Sequence, residues 1–129
     1  GIDPIFIAPA KASREVLEGV AANSRGYIYA ISRDGVTGAE NEATVEGLRE
    51  VVDNVQSFGG APVLLGFGIS RPEHVRDAIA AGAAGAITGS AITNIIDKYV
   101  VDNRVENMDR LKRELSDYVS AMKQATIAS

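Results

Sequence analysis

The chain has 129 residues, 46% hydrophobic and 23% charged, enough to bury a core of ordinary density, and it reads as one folded unit rather than a disordered tail. Its net charge of −4 argues against a general nucleic-acid or anionic-membrane partner, and the absence of cysteine removes disulfides and thiol chemistry. No apolar run nears the roughly 20 residues that span a bilayer, and no basic region leads into a signal-like segment, so a cytoplasmic location is expected.

Short apolar runs alternate with amphipathic ones along the chain. The first strand is expected at PIFIA, Pro4 to Ala8, followed by a helix over Ser13 to Ser24 with Val16, Leu17, Val20 and Ala21 on one face. YIYAI, Tyr27 to Ile31, is the second strand. A long polar loop, SRDGVTGAENE, leads to a helix with Val45, Leu48, Val52 and Val55 at helical spacing, stopped by Gly59 and Gly60. PVLL, Pro62 to Leu65, is the third strand. Ser70 and Glu73 have the spacing of a capping box for a helix through Val75, Ala78 and Ile79 that Gly82 closes. GAIT, Gly85 to Thr88, is the fourth strand, and SAITNIIDKY starts a short helix at Ser90. A last helix carries Met108, Leu111, Leu115, Val119 and Met122 in one core-facing stripe, with Asn107 as its cap.

Four strand-then-helix units in succession imply parallel strands joined by helical crossovers, and near-continuous apolar strands imply a sheet covered on both faces. The interval from the second strand to the third is the longest, and long loops at the carboxyl ends of such strands usually host function. The last three strand ends all carry glycine: Gly35 and Gly38, then Gly66 and Gly68, then Gly89. A residue without Cβ lets a ligand approach the backbone amides closely. TGSAI runs directly into a helix, so the amides of Ser90 and Ala91 are expected at a positive helix end, and two such neighbouring loops make a phosphate seat without Lys or Arg. In eight-stranded α/β barrels that seat is built by the loops after the last two strands and a short extra helix, which SAITNIIDKY matches in length and position.

GYIYAISRDGVTGAE, GFGISRPEHV and GAAGAITGSAI, in this order and followed by a helix ending in YVSAMK, closely resemble the carboxyl-terminal half of the tryptophan synthase alpha subunit family. Single motifs of this kind recur in phosphate-binding barrels, but SRxGVTGAE together with the other two is specific, and the likeness covers essentially the whole chain. The resemblance implies an α/β fold of four βα units, equivalent to the C-terminal half of a (β/α)8 TIM barrel, plus a C-terminal helix, with residues 1–129 as a single half-barrel domain. The family cleaves indole-3-glycerol phosphate to indole and glyceraldehyde 3-phosphate and passes the indole to a beta subunit. The implied alpha chain has no cofactor of its own, since PLP belongs to that partner. By the same resemblance, Gly38, Gly68, Gly89 and Ser90 hold the substrate phosphate, Tyr29 lines the pocket and Phe67 is its apolar wall. Thr37 is then the hydroxyl that hydrogen-bonds the catalytic aspartate when the loop closes.

The family's two catalytic carboxylates fall ahead of Gly1, so the chain as it stands is expected to bind weakly and not to catalyse. Asp34 and Glu40 lie on the long loop, where solvation is the simpler reading of both. Arg33 opens that loop beside Gly35 as either a functional cation or an ion-pair partner. His74 is the only histidine and reads as surface, with too few companions for a metal site. A non-catalytic phosphate-binding or assembly module stays open as an alternative. So does another phosphate barrel of the same pathway, of the indoleglycerol phosphate synthase or phosphoribosylanthranilate isomerase type, which would lack SRDGVTGAE in this register. Four barrel strands alone leave two apolar edges and an open inner face, so the chain is expected to form a homo-oligomer, most simply a two-fold dimer.

Overall fold

The computed structural model describes residues 1–31, 45 and 47–127. The positions Arg33, Asp34, Gly35, Thr37, Gly38 and Glu40 lie outside them. Strand β1 (Ile7–Ala8) leads to helix α1 (Arg14–Asn23), β2 (Ile28–Ile31) to α2 (Leu48–Ser57), β3 (Val63–Gly66) to α3 (Pro72–Ala80), and β4 (Gly85–Ala86) to α4 (Ser90–Asp97). The four strands form one parallel sheet in chain order, as the alternation of runs predicts. Tyr29 lies opposite Ile7 and Leu64, and Leu64 lies opposite Gly85, so these residues share one face of the sheet.

The other face carries the helices and the core. Ala8, Ile28, Ala30, Val63 and Leu65 are buried there against Leu17 and Ala21 of α1, Val51, Val52 and Val55 of α2, and Val75 and Ala78 of α3. Helices α1 and α2 are also clasped at their surface. The Arg14 guanidinium stacks 4.7 Å from the Phe58 ring centroid and donates to Asn54 Oδ1 at 3.0 Å. On the inner face Tyr29, Ile31 and Leu64 are half-buried and Ile7 is 56% exposed. Among the described residues the sheet is open, with β1 and β4 as its edges, and no helix is long and apolar enough to cross a membrane.

Several boundaries differ from the sequence reading. The first and fourth strands are two-residue ladders because an edge strand is bonded on one side only. Backbone bonds from Tyr29 N–H to Phe6 O (3.1 Å) and from Ile87 N–H to Leu65 O (2.8 Å) continue their direction. Helix α2 starts at Leu48 rather than Val45, since Gly47 at its N-cap has φ 76° and breaks the helical path. A β-hairpin intervenes before the last helix: β5 (Val100–Val101) pairs antiparallel with β6 (Arg104–Val105). Its two turn residues, Asp102 and Asn103, have φ of 50° and 60°, which Asp and Asn tolerate better than other side chains.

Helix α5 (Met108–Gln124) has the expected cap, with Arg110 N–H donating to Asn107 Oδ1 at 3.3 Å. It packs on α3 and α4 and buries Leu111 and Met122. The rest of its stripe is less covered than expected: Met108 and Val119 are 47% and 52% exposed, because only part of the stripe meets those helices. Glu114 joins α5 to the residues before the hairpin through Lys98 and the Tyr99 hydroxyl. These partners hold its carboxyl below the usual glutamate range, Lys98 first and Tyr99 second.

The expected cap of α3 is corrected. The N-cap is Arg71, one position after Ser70, so the Ser70–Glu73 spacing is out of register with the helix start. The imidazole of His74 takes over the task, accepting the Ser70 and Arg71 backbone N–H groups at Nδ1 at 3.1 and 3.2 Å. His74 is therefore buried at 5% exposure rather than a surface residue, because its ring folds back over the first turn.

Leu65, at 0% exposure on the inner strand β3, belongs to the core that joins sheet to helices. Leu65→Ala is expected to lower unfolding free energy by about 2–5 kcal/mol, read from the midpoint shift in urea.

Candidate functional site

The carboxyl ends of β3 and β4 release two loops side by side. After β3 the backbone turns through two consecutive left-handed residues, Phe67 at φ 71° and Gly68 at φ 73°. Gly68 adopts this conformation without penalty, whereas a phenylalanine there is strained, and such outliers cluster at ligand sites. Phe67 and Gly68 are both half-buried.

After β4, Gly89 is the N-cap of α4, with φ −136° and ψ −70°. Its carbonyl accepts Ile92 N–H at 2.9 Å and Thr93 N–H at 3.2 Å. The first amides of a helix have no partner within it, and Gly89 brings no side chain to cap those of Ser90 and Ala91. A Cβ built on Gly89 would meet nothing within 4 Å, so the space before this helix end is open. The two neighbouring helix starts are thus unlike: α3 is closed by an imidazole, and α4 presents its amides outward.

A side-chain relay fixes the two loops to each other. Thr88 Oγ1 donates to Ile69 O at 2.8 Å and lies 2.8 Å from the Tyr118 hydroxyl, which is itself 3.2 Å from Ser70 O. Two protons serve three contacts. With the Thr88 proton on Ile69 O, the Tyr118 proton is shared between Thr88 Oγ1 and the more distant Ser70 O. Tyr118 belongs to α5, so the last helix fastens both loops at once.

Tyr29 stands on the inner face of β2, and its ring lies directly over Gly66. A Cβ at Gly66 would come within 2.3 Å of Tyr29 Cζ and Oη, so this strand end has room for the ring only while residue 66 is glycine. Burial raises the Tyr29 pKa above its ordinary value of 10.0, with Tyr27 adding to the shift, and the phenol remains a neutral hydrogen-bonding group near pH 7.

The tryptophan synthase alpha chain family model matches residues 1–126. The chain belongs to that family. It is similar to the tryptophan synthase alpha chains of Corynebacterium glutamicum, at 62% identity over 98% of this chain and 47% of that protein, and of Haemophilus influenzae, at 44% identity over 98% and 45%. Among solved structures it resembles Mycobacterium tuberculosis tryptophan synthase, with TM-score 0.75 and 26% identity over 99% of this chain and 43% of that one. It likewise resembles the Pyrococcus furiosus tryptophan synthase a2b2 complex, with TM-score 0.72 and 26% identity over 96% and 46%. The chain spans about half the length of the curated relatives it matches. Its four βα units and terminal helix correspond to part of a tryptophan synthase alpha TIM barrel.

Of the residues expected at a tryptophan synthase alpha phosphate site, Gly68, Gly89 and Ser90 lie on the two joined loops, and Tyr29 reaches the same strand ends through Gly66. Phe67 precedes Gly68 as the expected pocket wall. The sequence reading missed the groups that hold these loops: His74, Thr88 and Tyr118. Its one available signal was the histidine three positions into the α3 helix, while nothing near Tyr118 marks a partner 48 positions away.

Because the Tyr29 atoms in the way are the far end of a side chain, Gly66→Ala is expected to displace the ring rather than unfold the sheet. In a double-mutant cycle its cost should largely disappear in a Tyr29→Ala background. Equal cost in both backgrounds, measured by denaturant unfolding, would show that the ring does not occupy that space.

Proposed function

We propose that this chain, residues 1–129, is a single half-barrel domain, the phosphate-binding C-terminal half of a tryptophan synthase alpha subunit. The full enzyme is a cytoplasmic lyase of tryptophan biosynthesis that cleaves indole-3-glycerol phosphate to indole and glyceraldehyde 3-phosphate. The observation that carries the reading is the open α4 start beside the left-handed Gly68 loop. The amides of Gly68, Gly89 and Ser90 donate to the phosphate oxygens, the helix end adds its partial positive charge, and the absence of Cβ at residues 68 and 89 allows close approach. Gly38 completes the seat from the long loop, which also carries Arg33 and Gly35. Thr37 orients a catalytic carboxylate contributed by the other half of the barrel. Tyr29 and Phe67 enclose the indole side of the substrate.

General acid-base cleavage needs a positioned proton donor, which in this reading the other half supplies. The chain alone is therefore inactive, and its product passes to a beta subunit that holds the PLP. The a2b2 complex named for the Pyrococcus furiosus relative supports that partnership. Gly89→Val tests the seat, since its side chain would enter the ligand's place from a Cβ position that meets no protein atom within 4 Å. Glycerol phosphate binding, followed by NMR shifts in the full-length protein, should be lost with circular dichroism unchanged. Equal affinity in mutant and parent overturns the seat. Incubation with indole-3-glycerol phosphate should release no indole from the chain alone and measurable indole once a complementary first half is added; indole from the chain alone would point to Asp34 and Glu40 instead.

The open edges at β1 and β4 and the half-exposed inner face support self-association of the chain when it is by itself. Light scattering coupled to size exclusion should read twice the chain mass or more. A monodisperse monomer with a cooperative thermal transition would contradict this.

A further inference from the structure

The start of α3 poses a problem that its sequence does not solve in the usual way. Ser, Thr, Asp or Asn commonly cap a helix, but the N-cap here is Arg71, whose side chain has no acceptor. Pro72 has no N–H, and the two backbone N–H groups immediately before it are those of Ser70 and Arg71. Both end on one atom, Nδ1 of His74, at 3.1 and 3.2 Å. The ring lies in a site with 5% exposure, where water offers little replacement for it.

Two donors on Nδ1 require that nitrogen to be unprotonated, which puts the proton of the neutral ring on Nε2. Arg71 Nη2 lies 3.4 Å from Nε2, and with both atoms carrying hydrogen this is a contact between donors. The ring thus has one orientation and one tautomer that serve the backbone. The two amides it holds directly follow Gly68 and Ile69, and the carbonyls of Ile69 and Ser70 are the ones that Thr88 and Tyr118 bind. The GFGIS loop is consequently held from below by an imidazole and from the side by two hydroxyls.

We propose that His74 is a positioning residue for anion binding. By accepting the Ser70 and Arg71 amides, it keeps these two donors from competing for the phosphate, holds the segment that follows Gly68, and fixes the Gly68 amide toward the open α4 start. The proposal rests on the phosphate reading above. It names a role for the ring that requires an acceptor at the Nδ1 position, not merely an object of similar size. Asparagine places its Oδ1 close to where Nδ1 sits, whereas leucine fills the volume without an acceptor.

The test uses the full-length protein and glycerol 3-phosphate as probe. In the parent, 15N NMR of the His74 ring, assigned by its disappearance in His74→Asn, should show an unprotonated Nδ1 and a protonated Nε2. Amide hydrogen exchange at Ser70 and Arg71 should be slow in the parent and in His74→Asn, and at least about tenfold faster in His74→Leu. Affinity for glycerol 3-phosphate should fall about tenfold in His74→Leu and stay within about twofold of the parent in His74→Asn. A protonated Nδ1 in the parent, equal losses in the two variants, or unchanged exchange in His74→Leu would overturn the role of the ring. If the parent binds no glycerol 3-phosphate, the phosphate seat falls, and with it the role of His74 in binding. Full parental affinity in His74→Leu overturns His74 alone and leaves the seat standing.

Discussion

Strand β3 is hydrogen-bonded on both sides, to β2 over four residue pairs and to β4 over two, and through the β4 pairing it holds the loops that follow β3 and β4 in register. Parallel pairing sends all strand ends the same way, so the loops that leave β3 and β4 emerge together. Leu65, fully buried between them and the helices, makes that arrangement costly to shift. The Gly68 and Gly89 loops meet because a ladder of backbone bonds ends beneath them, and the Thr88–Ile69 bond finishes what the ladder begins.

The chain uses one physical asset, the unsatisfied amides at a helix start, in two opposite ways. At α3 a histidine nitrogen accepts the two amides that lead into the helix. At α4 they stay available before open space. The contrast explains why the helix starts carry such different residues: an Arg-Pro pair with a histidine behind it at α3, and glycine followed by small residues at α4. A helix start of this type can receive an anion without a cationic side chain, so the net negative charge of the chain does not oppose the proposed phosphate seat.

Much of this architecture was legible in the sequence because the four apolar runs appear in the order in which the strands pair, although the unbroken runs imply a sheet covered on both faces and here helices cover one, the inner face being half-buried to exposed. The Asn107 cap and the glycine-marked strand ends were equally readable, since each depends on a local backbone requirement. What escaped the reading depends on partners distant along the chain or on competition between two nearby ones. Tyr118 looks like any half-buried helix residue until α5 is laid across the loops. Ser70 has the chemistry of a cap, yet the helix begins one residue later, and His74 wins by reaching back. The hairpin was hidden in a stretch whose apolar residues, Val100, Val101 and Val105, also suit a helix; only the Asp102–Asn103 pair separates the two outcomes. The loop that distinguishes the family most clearly, SRDGVTGAE, lies outside the described residues, so its part in the site rests on the resemblance alone.

Strand order that follows chain order has a consequence for how the molecule is assembled. Ile7 pairs with Tyr29, Ile28 with Val63 and Leu64 with Gly85, so every strand contact closes a segment of broadly similar length. The entropy of closure grows only with the logarithm of that length, and the longest of the three closures costs about 0.4 kcal/mol more than the others. Such a difference is too small to choose which pair forms first. Nucleation is then decided by how much apolar surface each encounter covers, which favours the four-residue pairing of β2 with β3 under α2. The other two units can add to either side of this centre independently, so the folding route branches without a long-range contact having to precede the rest.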